Sequence, residues 1–418
     1  MDSNHNLLDS LKERKTFVSI CVVALFYATG AGALWFLLPV MAEEFTKDIT
    51  VVGILLSIPY VISTIVAIPS GELSDRVGRK TVGIIGLLIV ILIGVIVPLV
   101  SSLPQFILFA IVLGLSVQLI NAPARAFVMD IAPQKMTSEY FGIFISSINL
   151  GLAIGPMMVG FLMRDSLSIG ITTVSYMYIL IGLIGLFIFS TLNDTIKERE
   201  PLSDGIKNML RTDKVFRRGI RQYRELKNLG MLVLVLTILF TITDGVVWTL
   251  EPLYYQYLKL SSSMGSLILA MFILPLIVLG LPAGRLADKY GKLKALVFGV
   301  VLSGISLILF GFSHTTLTLL LSAFFTSAGL AFAWASVSGL ITDISVNKDR
   351  GCITGVWNMF MDIGYVIGPF LGGMIAGYFH NIGNAFSTMG LILLFSIILI
   401  ISGSRRYEQY LHGLPECN

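Results

Sequence analysis

The sequence repeats itself at a constant offset of 213 residues, which indicates that the chain contains two related halves. The repeat needs no gap over most of the chain and concentrates on glycine, proline, aspartate and tryptophan. An internal duplication of this length indicates two similar structural halves. The matched pairs are Gly32 and Gly245, Trp35 and Trp248, Pro39 and Pro252, Gly71 and Gly284, Leu73 and Leu286, Asp75 and Asp288, Gly78 and Gly291, Asp130 and Asp343, Gly142 and Gly355, Gly151 and Gly364, Gly155 and Gly368, Pro156 and Pro369, and Gly160 and Gly373.

The composition requires lipid as the main solvent of the chain. Hydrophobic residues make up 55% and charged residues 13%, and the mean hydropathy is +0.86. Soluble domains carry about 25% charged residues. Twelve stretches are long enough to cross a bilayer, and they are continuously apolar rather than alternating, which favours helices over a barrel. The sequence therefore predicts an all-α membrane protein with twelve transmembrane helices in two pseudo-symmetric halves of six. The stretches lie near 17–42, 51–70, 81–100, 105–129, 140–163, 171–192, 230–256, 264–282, 294–312, 316–342, 352–378 and 385–403.

The basic residues predict the orientation and the domain boundaries. Of 29 Lys and Arg residues, only Lys47, Arg164 and Lys259 lie in the loops of one side, and Arg125 lies inside a span. This asymmetry predicts a multi-pass protein of the cell membrane, inner or plasma, with both termini in the cytoplasm. We expect a six-helix bundle over 1–192, a cytoplasmic linker over 193–228, a second bundle over 229–403 and a cytoplasmic tail over 404–418. The basic linker fits either an amphipathic segment on the anionic leaflet or a solvated tether.

Two loops carry the same charged motif. One reads Gly71-Glu-Leu-Ser-Asp75-Arg76-Val-Gly78-Arg79-Lys80, and the other includes Gly284, Asp288 and Gly291. This pattern resembles the loop signature of the major facilitator superfamily. The resemblance implies a conformational gate, in which an acid flanked by bases exchanges partners and glycines allow a tight turn and close helix approach. It implies that Asp130, and its repeat Asp343, belong to the same gate.

The fifth and eleventh spans carry a glycine and proline pattern that is similar to that of the twelve-span drug–proton antiporters of this superfamily. Small residues three or four positions apart form a groove for a neighbouring helix, and proline bends the helix. One departure concerns the fourth helix, where these antiporters often carry an arginine four residues before a glycine. Here that glycine resembles Gly114, and the arginine position holds Ala110. The two patterns are Gly142, Gly151, Gly155, Pro156 and Gly160, then Gly355, Gly364, Gly368, Pro369, Gly372 and Gly373.

Two acids lie near the middle of spans, where a charge costs at least about 2.5–3.5 kcal/mol on insertion scales. These are Asp244 in the seventh span and Asp362 in the eleventh, and Asn149 occupies the repeat position of Asp362. We expect one or both to carry the coupling proton. Glu251 lies further along the seventh span, and we expect it at the membrane interface.

Polar and aromatic stripes mark the first, fourth, seventh and tenth spans, which the family resemblance places around a central substrate cavity. Packing is the alternative for these side chains, because Trp anchors spans at interfaces and Gln or Asn bonds neighbouring helices. Arg125 can also extend its charged end towards the cytoplasmic surface. The candidate cavity residues are Tyr27, Trp35, Gln118, Asn121, Arg125, Trp248 and Trp334.

The leading hypothesis is a secondary active exporter of small amphipathic or drug-like molecules, which works by alternating access in antiport with protons. The alternative is a nutrient or organic-ion symporter or uniporter of the same fold. The sequence shows no P-loop and no His pair with metal spacing, so we expect neither an enzyme nor an ATP-driven pump. The expected partners are a small-molecule substrate, protons and the lipid bilayer. We expect a monomer, with no cofactor, metal or nucleic acid.

Overall fold

The computed structural model describes the backbone of residues 2–133, 136–196, 199–204, 227–344 and 350–412. Within these ranges, the side chains at 2–13, 137–138, 227–229, 343–344, 350–356 and 403–412 lie outside the described part. Four sequence predictions are affected. Most of the predicted linker and the end of the predicted tail fall outside the described residues, as do the Asp343 side chain and the surroundings of Gly355.

The described chain is helical and contains twelve helical segments that are long and apolar enough to span a membrane. Its described residues include no β-strand. The predicted fold class of twelve transmembrane helices is confirmed. The helices are α1 Asp2–Glu43, α2 Ile49–Val77, α3 Arg79–Ile96, α4 Leu103–Ile131, α5 Thr137–Leu162, α6 Leu167–Thr191, α7 Lys227–Tyr257, α8a Ser262–Met271, α8b Leu274–Tyr290, α9 Lys292–Phe312, α10 Thr316–Ile344, α11 Arg350–Phe379 and α12 Ile382–His412.

The eighth span is interrupted rather than continuous. α8a ends at Met271, and α8b begins at Leu274 with Pro275 in its first turn. Proline has no backbone N–H to donate to the preceding turn, and its ring disfavours helical conformation in the residue before it. The uninterrupted hydropathy of this segment predicts one span, and the proline divides it into two helices.

The chain divides into two compact units. Unit 1 consists of 1–45 and 58–212, and unit 2 of 46–57 and 213–418. In unit 1, α1 packs on α5 and α6, and α3 packs on α4 and α6. In unit 2, α7 packs on α11 and α12, and α9 packs on α10 and α12. Each of these four helix pairs of unit 1 thus has its counterpart six spans later, so the duplication seen in the sequence extends to these helix contacts.

Glycines of the predicted packing motif lie at close helix contacts in each unit. In unit 1, a Cβ atom added to Gly151 or Gly155 would overlap the backbone of α1. In unit 2, a Cβ atom on Gly364 or Gly368 would overlap α7 in the same way. Gly372 and Gly373 also lie in tight contacts, whereas a Cβ atom on Gly142 would meet nothing within 4 Å. Only glycine therefore permits the observed helix separation at the central positions of the motif.

Candidate functional site

Unit 1 contains a partly open cavity of about 130 Å³ between α1, α3, α4, α5 and α6. Tyr27 and Trp35 of α1 line it together with Asn121 of α4, so three of the predicted cavity residues meet here. No charged residue lines it. The rest of its wall is apolar and consists of Ile20, Val23, Ala24, Ala28, Ala31, Gly83, Leu87, Val117, Ile120, Ala124, Phe144, Ile148, Leu152 and Phe189.

Two other predicted cavity residues of unit 1 do not line this cavity. Gln118 lies on α4 and donates from its side-chain amide to the Ser63 hydroxyl of α2 at 2.9 Å. Arg125 is partly buried further along α4. Trp35 combines both predicted roles, because its ring lines the cavity and stacks on Tyr60 with centroids 4.6 Å apart. The wall of the cavity is therefore less polar than the stripe on α4 suggests.

In unit 2, the acid predicted in the seventh span has a hydroxyl partner on a neighbouring helix. Tyr365 of α11 donates its hydroxyl to the Asp244 carboxylate of α7 at 3.5 Å, a long hydrogen bond. Asp244 and Trp248 are partly exposed, whereas the positions between them are buried. Asp362, the second predicted acid, lies on α11 one turn before Tyr365 and is also partly exposed. The two acids thus lie on two helices that pack together within unit 2.

An aromatic cluster lies on α7, α10 and α11 in the same unit. The ring of Trp334 lies 5.6 Å from Phe240 and 6.4 Å from Trp357, between centroids. The indole N–H of Trp357 donates to the Thr237 hydroxyl at 2.8 Å. Of these residues the sequence pattern selects only Trp334. Trp357 has no repeat partner and follows the start of its helix, so its sequence position gives no signal of this cluster.

Glu251, which we expect at the membrane interface, lies buried among helices near the end of α7. The residue is only 1% exposed, and within the described part of the chain neither carboxylate oxygen has a hydrogen-bond partner. The reason is the packing of this end of α7. Tyr254 contacts Phe310 of α9 and Phe386 of α12, and the next residue along α7 packs on Gly265 of α8a. Neighbouring helices therefore cover the end of α7 that the sequence leaves near the surface.

The charged loop of unit 1 brings three of its predicted gate residues together. The Arg79 guanidinium is mostly buried and contacts the carboxylates of Asp75 and Asp130, the latter at 3.3 Å. It also donates to the Ser74 hydroxyl at 3.3 Å. Arg76 has different partners, because its guanidinium binds Glu72 and Glu200, each at 2.9 Å.

The corresponding loop of unit 2 is arranged differently. Asp288 is exposed and forms no ion pair with the residues that the structure describes there. Gly291 has a φ angle of 101°, close to the 114° of Gly78, so both loops make the left-handed turn that favours glycine. Added Cβ atoms on Gly71, Gly284 and Gly291 would meet nothing within 4 Å. The two loops thus share a backbone turn but differ in their ion pairs.

Comparisons with known proteins agree with this architecture. Multidrug resistance protein 2 of Bacillus subtilis (strain 168) is 23% identical over 393 residues, which cover 92% of this chain and 94% of that protein. Quinolone resistance protein NorA of Staphylococcus aureus is 30% identical over 158 residues, which cover 37% of this chain and 41% of NorA.

Solved structures show the same fold. The human organic anion transporter MFSD10 (TETRAN) matches with a TM-score of 0.66 at 18% identity, over 93% of this chain and 99% of that one. A mutant of the peptide transporter POT in complex with sulfate matches with a TM-score of 0.72 at 15% identity, over 94% of both chains. The family model described as Major Facilitator Superfamily matches residues 20–245 and 233–413. The chain is therefore a multi-pass membrane transporter of small molecules, not an enzyme, and it belongs to the major facilitator superfamily.

Proposed function

We propose that this transporter exports small amphipathic, drug-like molecules across the cell membrane in exchange for protons, by alternating access, with both of its termini in the cytoplasm. The observation that carries the proposal is the cavity of unit 1, where aromatic and aliphatic side chains surround three polar groups. The names of the two relatives, a multidrug and a quinolone resistance protein, support the same substrate class.

The lining of the cavity favours amphipathic substrates over sugars or inorganic anions. Sites for small molecules are largely apolar and use a few polar groups to fix orientation. A sugar or anion site needs more polar or basic groups, and neither Arg125 nor Gln118 lines this cavity. Its volume of about 130 Å³ is below the roughly 300–1,000 Å³ of drug-sized sites. We therefore propose that the cavity binds only the apolar end of a substrate.

The acids of unit 2 support the coupling to protons. A charge inside a span is costly and most often serves ion or proton movement. Asp244 forms no ion pair with a described residue, and its hydrogen-bond partner Tyr365 is neutral. A carboxyl group without a fixed cation is suited to take up and release a proton. We assign this role to Asp244. Asp362 is the second candidate, because it is the other acid predicted near the middle of a span.

The charged loop of unit 1 supports a latch at the cytoplasmic end of that unit. Arg79 contacts Asp75, which lies one helical turn before it, and Asp130 at the end of α4. Because one guanidinium holds two carboxylates, a change of partner at Arg79 alters the contact between α2 and α4. We propose that this exchange of partners accompanies alternating access.

Binding to purified protein tests the assigned substrate site. Ethidium serves as the probe, because it is a flat aromatic cation whose fluorescence reports binding. Ala124→Leu fills part of the cavity and should weaken binding by about tenfold or more, the effect expected when a pocket must exclude added methylene groups. Ala126→Leu is the control, since Ala126 lies on the same helix but does not line the cavity. Equal affinity of wild type and Ala124→Leu would remove this cavity from the substrate site.

A further inference from the structure

The beginning of the linker is fastened to the turn between α2 and α3. The carboxylate of Asp194 is fully buried. It accepts the backbone N–H of Arg79 at 3.0 Å on one oxygen and that of Lys80 at 3.2 Å on the other. These N–H groups belong to the first turn of α3, where helix geometry supplies no acceptor. Asp194 thus caps a helix that begins 115 residues earlier in the chain.

Lys80 makes a second contact between the start of α3 and the end of α6. Its ammonium group donates to the carbonyl oxygens of Ser190 at 2.7 Å and Leu192 at 2.8 Å, at the end of α6. A cation at a helix C-terminus and an anion at a helix N-terminus are both favoured by the helix dipole. Asp194, just after α6, therefore caps the start of α3, and Lys80 of α3 caps the end of α6.

Gly78 makes this approach possible. Residues with a side chain rarely adopt its φ angle of 114°, and a Cβ atom at this position would overlap the Asp194 carboxylate. The glycine of the charged motif thus has a second reason to be glycine besides its backbone conformation. It leaves room for the carboxylate from the linker.

Further along the linker, two more residues bind the gate. The Thr195 hydroxyl donates to Asp130 at 2.5 Å, on the oxygen that Arg79 also contacts. Glu200 binds the Arg76 guanidinium at 2.9 Å, and its backbone N–H donates to the Arg76 carbonyl, also at 2.9 Å. The linker therefore contacts both arginines of the loop and the acid on α4.

We propose that Asp194 is a positioning residue of the latch: it fixes the backbone at Arg79, so that the guanidinium reaches both Asp75 and Asp130. The proposal rests on the proposed function in that the latch is assumed to control transport. It goes further by making the linker a working part of the latch rather than a tether between the halves. Asp194 acts through Arg79, and its own carboxylate contacts no gate carboxylate.

The first arm of the test needs no substrate. Amide hydrogen exchange is followed on peptides that contain Arg79 and Lys80, in purified wild type, Asp194→Asn and Asp194→Ala. Loss of the charged acceptor should speed exchange of these two amides by roughly tenfold in Asp194→Ala, and less in Asp194→Asn, which keeps one acceptor oxygen. The control is Asp204→Ala, because Asp204 is exposed on the same segment. Unchanged exchange in Asp194→Ala would overturn the inference.

The second arm separates positioning from a general structural role. Ethidium transport is measured in proteoliposomes for Asp194→Ala, Arg79→Ala and the double variant. If Asp194 acts through Arg79, each single variant should lose about tenfold in rate, and the double variant should lose less than about twofold more, because effects on one coupled unit do not add. A loss in the double variant equal to the product of the two single losses would mean a separate structural role for Asp194 and would contradict the proposal. If wild-type vesicles move no ethidium, the proposed substrate class fails, and the exchange arm still decides whether Asp194 holds Arg79.

Discussion

Gly155 of α5 lies directly against the carbonyl group of Thr29 on α1, with no room for a side chain between the two helices. The repeat copies this contact in unit 2, where Gly368 of α11 lies against the carbonyl group of Ile242 on α7. These are the same helix pairs of the two units. The glycine and proline motif thus sets the distance between two helices in each half.

Replacement of Gly155 by alanine should destabilise the protein, although alanine favours helices more than glycine does. The added methyl group overlaps α1, and overpacking costs about 1–3 kcal/mol. Gly142→Ala is the matched control on the same helix, because its methyl group meets nothing and gains up to about 1 kcal/mol of helix propensity. Thermal unfolding in detergent compares the two. The expected order is Gly142→Ala at or above wild type and Gly155→Ala below it, and the reverse order would contradict the contact.

The sequence predicts the twelve spans because each one must supply an apolar run of membrane length. The Asp194 contact could not be predicted in this way, because nothing in the local pattern relates a linker carboxylate to a turn 115 residues before it. The burial of Glu251 could not be predicted for a related reason. Its depth in the packed unit depends on Tyr254 and the helices around it, not on its position along α7. Cavity residues such as Phe189 gave no signal, since lipid-facing and cavity-facing apolar residues look alike in sequence.

Replacement of Glu251 by methionine should stabilise the protein. A buried polar group without a partner costs about 1–3 kcal/mol in protein mutational data, and methionine fills a similar volume without that cost. The free energy of unfolding should rise by a similar amount. Gln256→Met is the control on the same helix, because the Gln256 amide donates to the Pro252 carbonyl at 3.3 Å. Stability equal to or lower than wild type in Glu251→Met would show that the carboxylate has a stabilising role in its buried position.

The two charged loops should differ in their response to the same substitution. Asp75→Asn removes one of the two anions that bind Arg79, whereas Asp288 has no ion pair with a described residue. Because the Asp75 side chain is 63% exposed, its loss should change the free energy of unfolding by less than about 1 kcal/mol. Transport should nevertheless fall by at least about fivefold, the scale of a shifted conformational equilibrium.

Two measurements test the effect of Asp75→Asn. Ethidium transport reports the rate, and the accessibility of an introduced cysteine from each side of the membrane reports the conformational equilibrium. Asp288→Asn should show a smaller change in both. Normal transport together with unchanged accessibility in Asp75→Asn would contradict the latch.

The two acids of unit 2 can be separated from each other by substitution with asparagine. Asp362→Asn and Asp244→Asn resemble the permanently protonated side chains. A variant at the coupling acid should lose uphill transport driven by a pH gradient. It should still exchange labelled for unlabelled ethidium, because exchange needs no net proton movement. A variant at an acid that only contacts substrate should lose both uphill transport and exchange, or should show an altered substrate selectivity. Glu44→Gln, on an exposed residue, is the control. Unaltered uphill transport in the double variant would exclude both carboxylates from coupling.

The most direct test of the account is the direction in which a pH gradient moves substrate. Wild-type protein is reconstituted into vesicles whose membrane potential is clamped, and ethidium, whose charge is permanent, is added outside. An exchanger should accumulate ethidium above its external concentration when the vesicle interior is acid, since protons then leave as ethidium enters. Accumulation with an acid exterior instead would identify a symporter, and equilibration without accumulation under either gradient would identify a uniporter. Either result would contradict proton-driven export.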